Sequence, residues 1–429
     1  MNPPRRAERR AVAFALLAVL ALLGAACGSS AVSPTPGATS AAPSPEASAA
    51  PTAIPDPATV YASIEQQVQA IRELTAKKPV APALLDEDQL KKNMAADFDK
   101  DTPPAVVAAT QKLYELLGLI PAGSSLRDLY VQLLGSQVAG YYDPKTKELY
   151  VVSPSGGLGP TEKIVVAHEF DHALQDQNFG LQNLNLDSVG QGDTSLAHLS
   201  VAEGDATLLM TLWAQQNLTP AELLGLAAGP DAAAQMQLFN SMPLILRQSL
   251  MFPYTSGLQM VSDAYAKGGW AAVNALYQKP PASTEQVLHP DKYAAGEAPI
   301  AVTFPNDLAK RLGNGWSVNL VDTLGEFQME TWLESSGVPK AAATAAAAGW
   351  GGDRVALVTN GDRSGAVIDT RWDTPADAAE FATAATQALD KVGGPHAIIA
   401  IDGTDRVTVF VATDDATITA LGSVLGLAG

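Results

Sequence analysis

The sequence predicts an α+β protein with a mostly helical core, a small β-hairpin and a C-terminal ββαββα unit. Three observations predict this class. Apolar residues recur every three or four positions from Tyr61 onward, as on one face of an amphipathic helix. Two β-rich segments flank the turn Asp143-Pro144-Lys145, which indicates a hairpin. After Gly349, segments typical of strands and helices alternate in the order ββαββα.

The N-terminal segment predicts an export signal and a tether. Residues 1–26 combine a basic start with the apolar run 11–23, which is shorter than the roughly 20 residues of a membrane-spanning helix. The sequence Gly-Ala-Ala-Cys at 24–27 resembles a bacterial lipobox, so we predict a signal peptide over 1–26 and lipidation of Cys27. Ordinary cleavage nearby and an uncleaved anchor are the alternatives. Residues 27–58, rich in Ser, Pro and Ala, predict a disordered tether on the membrane of a bacterial cell envelope.

The composition limits the partners and the means of stabilisation. A formal net charge of −18 argues against nucleic acid as the main partner. Cys27 is the only cysteine, so no intramolecular disulfide can support the fold. The length of 429 residues is sufficient for two or three domains.

Residues 59–340 are predicted to form the larger, mostly helical domain. Helices are expected at 61–74, 105–117, 125–134, 200–217, 257–278 and 306–312, and the hairpin strands at 138–143 and 148–152. A further helix is expected to start at Pro160, with Thr161 as the candidate N-cap.

Residues 341–429 are predicted to form the separate α+β unit. After a short helix at 341–348, strands are expected at 354–359, 365–372, 396–401 and 406–412, with helices at 375–391 and from 415.

A histidine pair on the helix after the hairpin predicts a metal site. His168 and His172 are four residues apart, so both imidazoles lie on one face of a helix and can reach one zinc ion. Glu169 follows the first histidine and can accept a proton from a metal-activated water without binding the metal. The alternative is a surface helix that carries two solvated histidines.

The third metal ligand is sought further along the chain. The extended motif HExxHxxGxxH is excluded, because Gln175 and Asn178 stand where it needs Gly and His. Glu203 lies in an apolar helical segment and is the candidate ligand, since a catalytic zinc site uses three protein donors. His198 is the rival donor.

HExxH followed by a helical glutamate resembles the gluzincin branch of zinc metallopeptidases. More closely, residues 60–412 resemble a family of uncharacterised bacterial zincin-like metallopeptidases. The matching segments are 138–144, 168–177 (HEFDHALQDQ), 203–206 (EGDA), 281–293 (PASTEQVLHPDKY), 324–327 (LGEF) and 349–354 (GWGGDR). The resemblance implies a zincin-like core with zinc at His168, His172 and Glu203, and Glu169 as the general base.

Two features depart from the gluzincin pattern. The gap from His172 to Glu203 is 31 positions, longer than in the best-known gluzincins. Their aspartate four residues after the glutamate ligand is replaced by Thr207. Asp205 is expected to point to another helix face, so the partner that orients the ligands is not assigned.

A group that stabilises the oxyanion is also required. Tyr254 and His289, both expected in loops, are the candidates, and the alternatives are a packed tyrosine and a structural histidine. Glu326 and Asp353 are expected to serve as a helix cap or in an ion pair.

Together these features predict zinc-dependent hydrolysis of peptide bonds in a peptide or protein substrate outside the membrane. An endopeptidase is favoured, because no GxMEN motif precedes HExxH. The alternative is a non-catalytic surface lipoprotein whose zincin-like shell binds a protein or envelope polymer. Glu169 favours the enzyme, since a binding protein has no need of a base.

Overall fold

A computed structural model describes residues 14–17, 56–153, 157–186, 188–226 and 232–427. The helices are α1 Pro57–Arg72, α2 Glu87–Asp101, α3 Pro104–Leu116, α4 Leu126–Gln137, α5 Pro160–Phe179, α6 Gly192–Asn217, α7 Pro220–Leu226, α8 Ala232–Ser241, α9 Leu244–Phe252, α10 Leu258–Gln278, α11 Thr284–Leu288, α12 Pro290–Ala295, α13 Leu308–Leu312, α14 Gly325–Ser335, α15 Lys340–Ala347, α16 Pro375–Val392 and α17 Asp415–Val424. The strands are β1 Phe14–Leu17, β2 Pro82–Leu85, β3 Val138–Asp143, β4 Glu148–Val152, β5 Ser317–Asp322, β6 Trp350–Asn360, β7 Arg363–Trp372, β8 His396–Ala400 and β9 Arg406–Ala412. The predicted α+β class is confirmed.

Helix α5, which carries the histidine pair, is capped two residues before the predicted position. Gly159 is the extended N-cap and Pro160 is the first helical residue. Proline is favoured there because its φ suits a helix and its missing N–H would have no helical partner. The prediction of Thr161 as N-cap is therefore wrong, and Thr161 lies inside the first turn. The helix ends at Phe179, and its C-cap, Gly180, has a left-handed φ of 73°.

The first sheet is built on the predicted hairpin. Strands β3 and β4 pair antiparallel, with Gly140 opposite Val151. Strand β2 lies parallel to β4 on one side, and β1 lies antiparallel to β3 on the other. Helix α5 packs on this sheet so closely that a Cβ atom on Gly140 would overlap the side chain of Val165. The hairpin is thus the platform for the helix that carries the histidines.

Most of the predicted export signal and tether lies outside the described residues. This applies to Cys27, to residues 1–13 and 18–26 of the predicted signal peptide, and to the tether as far as residue 55. In the part of the chain that the structure describes, no helix has the length and apolar character needed to cross a membrane.

The second sheet has the strand order β5-β6-β7-β9-β8, and each neighbouring pair is antiparallel. The predicted ββαββα order of β6, β7, α16, β8, β9 and α17 is confirmed. Strand β5, from residues before 341, adds a fifth strand at one edge. Val355 faces the core that contains α16, whereas its neighbour Ala356 faces the core that contains α17. Because both faces are covered, residues 355–358 of β6 are all apolar instead of alternating.

Candidate metal centre

Helix α5 is buried on all sides around the histidine pair. It packs against α1, α6 and the first sheet, and every residue from Ile164 to Asp176 is buried. The side chains of His168, Glu169 and His172 have 0% exposure. The alternative of two solvated histidines on a surface helix is therefore excluded. Buried polar groups of this kind are normally paired or bound to a metal.

Glu203 of α6 forms a triangle of donor atoms with the two histidines. Its Oε2 lies 3.2 Å from His168 Nε2 and 3.4 Å from His172 Nε2, and the two Nε2 atoms are 3.1 Å apart. Zinc binds such atoms at about 2.0–2.1 Å, so the donors of a tetrahedral site lie roughly 3.3 Å apart. The three sides of the triangle match this spacing, and the donor set fits a zinc ion.

The electrostatics of the triangle favour one cation between the three groups. Burial lowers the pKa of His168 to about 4, so its imidazole is neutral at pH 7. Burial also opposes charge on His172, but Glu203 outweighs it and raises the pKa of His172 to about 9. Burial opposes charge on Glu203 as well, yet His172 and His168 lower its pKa to about 2. A metal ion would take the place of the proton on His172.

A buried hydrogen-bond chain lies behind His172. Its Nδ1 is 3.0 Å from Oε1 of Gln175, and Gln175 Nε2 donates to Asp171 Oδ2 at 2.8 Å and to the main-chain oxygen of Ala202 at 3.0 Å. Thr207, by contrast, has a buried hydroxyl with no hydrogen bond from its Oγ1 among the described residues. Gln175 is therefore the hydrogen-bond partner of the candidate ligand His172, and the sequence did not lead us to predict it. Its three-residue spacing from His172 on a helix is the signal that could have found it.

A buried ion pair lies next to this chain. Arg72, the last residue of α1, donates from Nε and Nη2 to the carboxylate of Asp205 at 2.9 and 2.8 Å. The same guanidinium is 3.8 Å from Asp171, and all three side chains have 0% exposure. Asp205 thus points away from the donor triangle, as its two-residue offset from Glu203 predicts. Nothing in the sequence indicates Arg72, which is 133 positions from Asp205.

Tyr254 lies beside the first histidine. It belongs to a π-helical turn, Pro253–Gly257, between α9 and α10 and is 3% exposed. Its ring is stacked at 6.2 Å, centroid to centroid, from the ring of His168. Single π-helical turns of this kind occur often at functional sites. Of the two predicted oxyanion donors, Tyr254 is therefore the one whose ring lies beside a residue of the donor triangle.

His289 is paired with Glu326. Its Nε2 lies 2.8 Å from Glu326 Oε1, and this hydrogen bond raises the pKa of the imidazole. Phe327, the neighbour of Glu326, packs on Phe252 with ring centroids 4.3 Å apart, and Phe252 directly precedes the π-helical turn that carries Tyr254. The prediction of an ion pair for Glu326 is thus confirmed.

Asp353 caps helix α14. Its two oxygens accept hydrogen bonds from the backbone N–H groups of Leu324 and Gly325 at 3.0 and 2.8 Å, and Trp350 Nε1 donates at 3.0 Å. The expected role as a helix cap is confirmed.

His198, the rival ligand, does not join the triangle. Its Nδ1 donates to the main-chain oxygen of Leu184, on the 3₁₀ turn before α6. The described residues contain one further group of three carboxylates, which surrounds Lys292 Nζ. Glu285 and Asp373 each lie 2.6 Å from this ammonium, and Glu297 lies 3.3 Å from it. A lysine ammonium therefore already occupies the place of a cation between these carboxylates.

Comparison with known proteins identifies only the C-terminal part of the chain. Residues 290–424 match a family model described as a domain of unknown function (DUF8575). The match includes Glu326 and the second sheet, and it does not reach the donor triangle. No curated protein and no solved structure matches the chain.

Proposed function

We propose that this protein is a zinc-dependent peptidase that cleaves polypeptides outside the membrane. The observation that carries the proposal is the convergence of His168, His172 and Glu203 beside the buried carboxylate of Glu169. Two imidazoles and one carboxylate are a donor set found in catalytic zinc sites. Bound zinc would lower the pKa of a water molecule and polarise a substrate carbonyl.

Glu169 is the proposed general base. It directly follows a metal ligand on α5, and its side chain is fully buried. In the reaction it accepts a proton from the attacking water and returns it to the nitrogen of the leaving amine. A purely structural site would have no use for a buried carboxylate at this position, so Glu169 supports catalysis over simple metal storage.

Tyr254 is the proposed main donor to the oxyanion. Its stacking on His168 supports this role, since the developing charge forms next to the metal ligands. His289 is the second candidate. The hydrogen bond to Glu326 orients its imidazole and favours the protonated form, which donates from both ring nitrogens.

The proposed substrate is an extended polypeptide. Strand β3 lies against α5, and β1 pairs antiparallel along its outer edge, with Ala15 opposite Tyr141. Removal of the predicted signal peptide, residues 1–26, would take β1 away and leave this edge to hold an extended segment beside the helix that carries Glu169. Main-chain pairing of this kind binds peptides with little dependence on their side chains, which suits an endopeptidase.

The proposed location is the cell envelope, with the lipid on Cys27 as anchor. The support is the basic and apolar segment before Cys27 and the polar tether after it. The Cys27→Ser variant should then be secreted or retained as a precursor. Equal membrane partitioning of both forms, with residues 1–26 still attached, would instead indicate an uncleaved anchor.

The peptidase activity is tested with the purified protein and an intrinsically unfolded protein as substrate. We expect cleavage that a chelator abolishes and zinc restores, and loss of nearly all cleavage in the Glu169→Gln variant. Cleavage by that variant at the wild-type rate would refute the proposed mechanism. Zinc binding without cleavage of any unfolded protein would favour the non-catalytic binding protein.

A further inference from the structure

We infer that Gln175 is a positioning residue that holds the ring of His172 with Nδ1 as donor and Nε2 directed at the metal. The inference rests on the proposed metal site. It concerns a residue outside the donor triangle, which the motif HExxH does not include.

The orientation of the Gln175 amide follows from its neighbours. The main-chain oxygen of Ala202 can only accept a hydrogen bond, and it lies 3.0 Å from the side-chain nitrogen of Gln175. Asp171 Oδ2, 2.8 Å from the same nitrogen, is a second acceptor. Reversal of the amide would place its oxygen against both acceptors. The oxygen of Gln175 must therefore face His172.

This orientation decides which nitrogen of His172 carries hydrogen. Oε1 of Gln175 can only accept, and it is 3.0 Å from Nδ1 of His172. Nδ1 is therefore the donor, and the tautomer with hydrogen on Nε2 alone is disfavoured because two acceptors would face each other. When the ring is neutral, as a metal ligand must be, only the tautomer with hydrogen on Nδ1 has its lone pair on Nε2, the atom in the donor triangle.

Gln175 also links the two helices that supply ligands. It stands on α5, one turn after His172, and its bond to Ala202 reaches the residue that precedes Glu203 on α6. One buried side chain therefore fixes the orientation of the His172 ring and the position of Glu203 along α6 relative to that ring. Arg72, which pairs with Asp205, also lies 3.8 Å from Asp171 and lowers the cost of its buried charge.

Two substitutions separate positioning from packing. Gln175→Leu keeps much of the volume but removes the acceptor for Nδ1. Gln175→Glu keeps an acceptor for Nδ1 but sets a carboxylate against Asp171 and Ala202. Gln177→Leu is the matched control, because Gln177 is on the same helix and bonds to the exposed residues Lys77 and Lys78.

For the wild type and each variant, we compare two quantities. One is the zinc dissociation constant, measured by competition with a chromophoric chelator, and the other is the free energy of unfolding of the zinc-free protein. We expect Gln175→Leu to weaken zinc binding about 10–100-fold. Gln175→Glu should lose stability yet bind zinc more tightly than Gln175→Leu, and Gln177→Leu should bind zinc as the wild type does. Wild-type affinity in Gln175→Leu, or equal losses in both Gln175 variants, would overturn the inference.

A metal-independent measurement covers the case in which a variant folds poorly or the wild type binds no zinc. Histidine labelled with nitrogen-15 reports the ring N–H groups of the zinc-free protein, and the chain has five histidines. We expect a protected Nδ1–H signal that disappears in His172→Ala and in Gln175→Leu. Its presence in wild-type protein that fails to bind zinc would refute the proposed function and preserve the positioning of His172. Its absence from the wild type would refute the positioning role.

Discussion

Gly204 and Gly257 bring two backbones into direct contact. A Cβ atom on Gly204 would overlap the carbonyl group of Gly257, and a Cβ on Gly257 would overlap the carbonyl group of Ser200. Through this contact, the π-helical turn that carries Tyr254 packs closely against the helix that carries Glu203. The glycine after Glu203 is thus explained by close packing, which no larger residue allows.

Gly204→Ala is expected to displace the turn that carries Tyr254. Overpacking of this kind costs about 1–3 kcal/mol of unfolding free energy, and the proposed peptidase activity should fall more than the stability loss explains. Denaturant unfolding and the peptidase assay check both effects. Gly225→Ala is the control, because a Cβ on Gly225 would meet no atom within 4 Å. Unchanged stability and activity in Gly204→Ala would contradict this packing.

Local patterns were sufficient to predict the donor triangle and several elements. Helical spacing alone predicts that His168 and His172 lie together. Strand β9 has its predicted bounds because alternating apolar residues and the flanking turns delimit it. Helix α2 was missed, since only Leu90 and Met94 of its 15 residues are buried and the apolar period is weak. Its capping box at Asp86 and Gln89 was the available signal.

Long-range contacts could not be predicted. Arg72 reaches Asp205 across 133 positions, and a single sequence contains no periodicity that joins them. Strand β5 was missed for a related reason, because it is an edge strand whose first three residues are exposed and it lacks a clear apolar pattern. The pairing of His289 with Glu326 likewise depends on how α14 packs.

Glu203 and Glu169 should respond differently to the same change of carboxylate to amide. Glu203→Gln should weaken zinc binding, since a neutral oxygen replaces an anionic donor, and excess zinc should restore part of the activity. Glu169→Gln should keep zinc but lose about 10²–10⁴-fold in kcat, which excess zinc cannot restore. Zinc titration and kinetics measure both. Equal zinc affinity in Glu203→Gln and wild type would remove Glu203 from the site.

Tyr254 and His289 can be distinguished by substitution and by pH. Tyr254→Phe removes the hydroxyl and should lower kcat by about 10²–10³-fold with little change in KM. His289 contributes as a donor only while protonated, and its pKa is raised by Glu326. If His289 acts, activity falls as the pH rises through that pKa, and Glu326→Gln shifts the alkaline limb to lower pH. An unchanged alkaline limb in Glu326→Gln would exclude His289.

Asp193 should make the protein progressively less stable as the pH rises from the ordinary pKa of this carboxyl to about 8. Burial raises the pKa of this carboxyl to about 8, although Thr284 donates two hydrogen bonds to it. Between its ordinary pKa and about 8 the folded state holds a proton that the unfolded state releases, so stability falls as pH rises across this window, by at most about 1.4 kcal/mol per pH unit. Asp193→Asn keeps the acceptor for Thr284 and should flatten the slope. Denaturant unfolding at pH 5 and pH 8 measures this, and an identical slope would contradict the assignment.

The metal content of the purified protein tests the central claim most directly. After zinc addition and dialysis, elemental analysis should give one zinc per wild-type chain, and His168→Ala or His172→Ala should reduce it to trace amounts. Unfolding in the presence of chelator verifies that these variants are folded. A folded wild-type protein that stays free of zinc after this treatment would contradict the account.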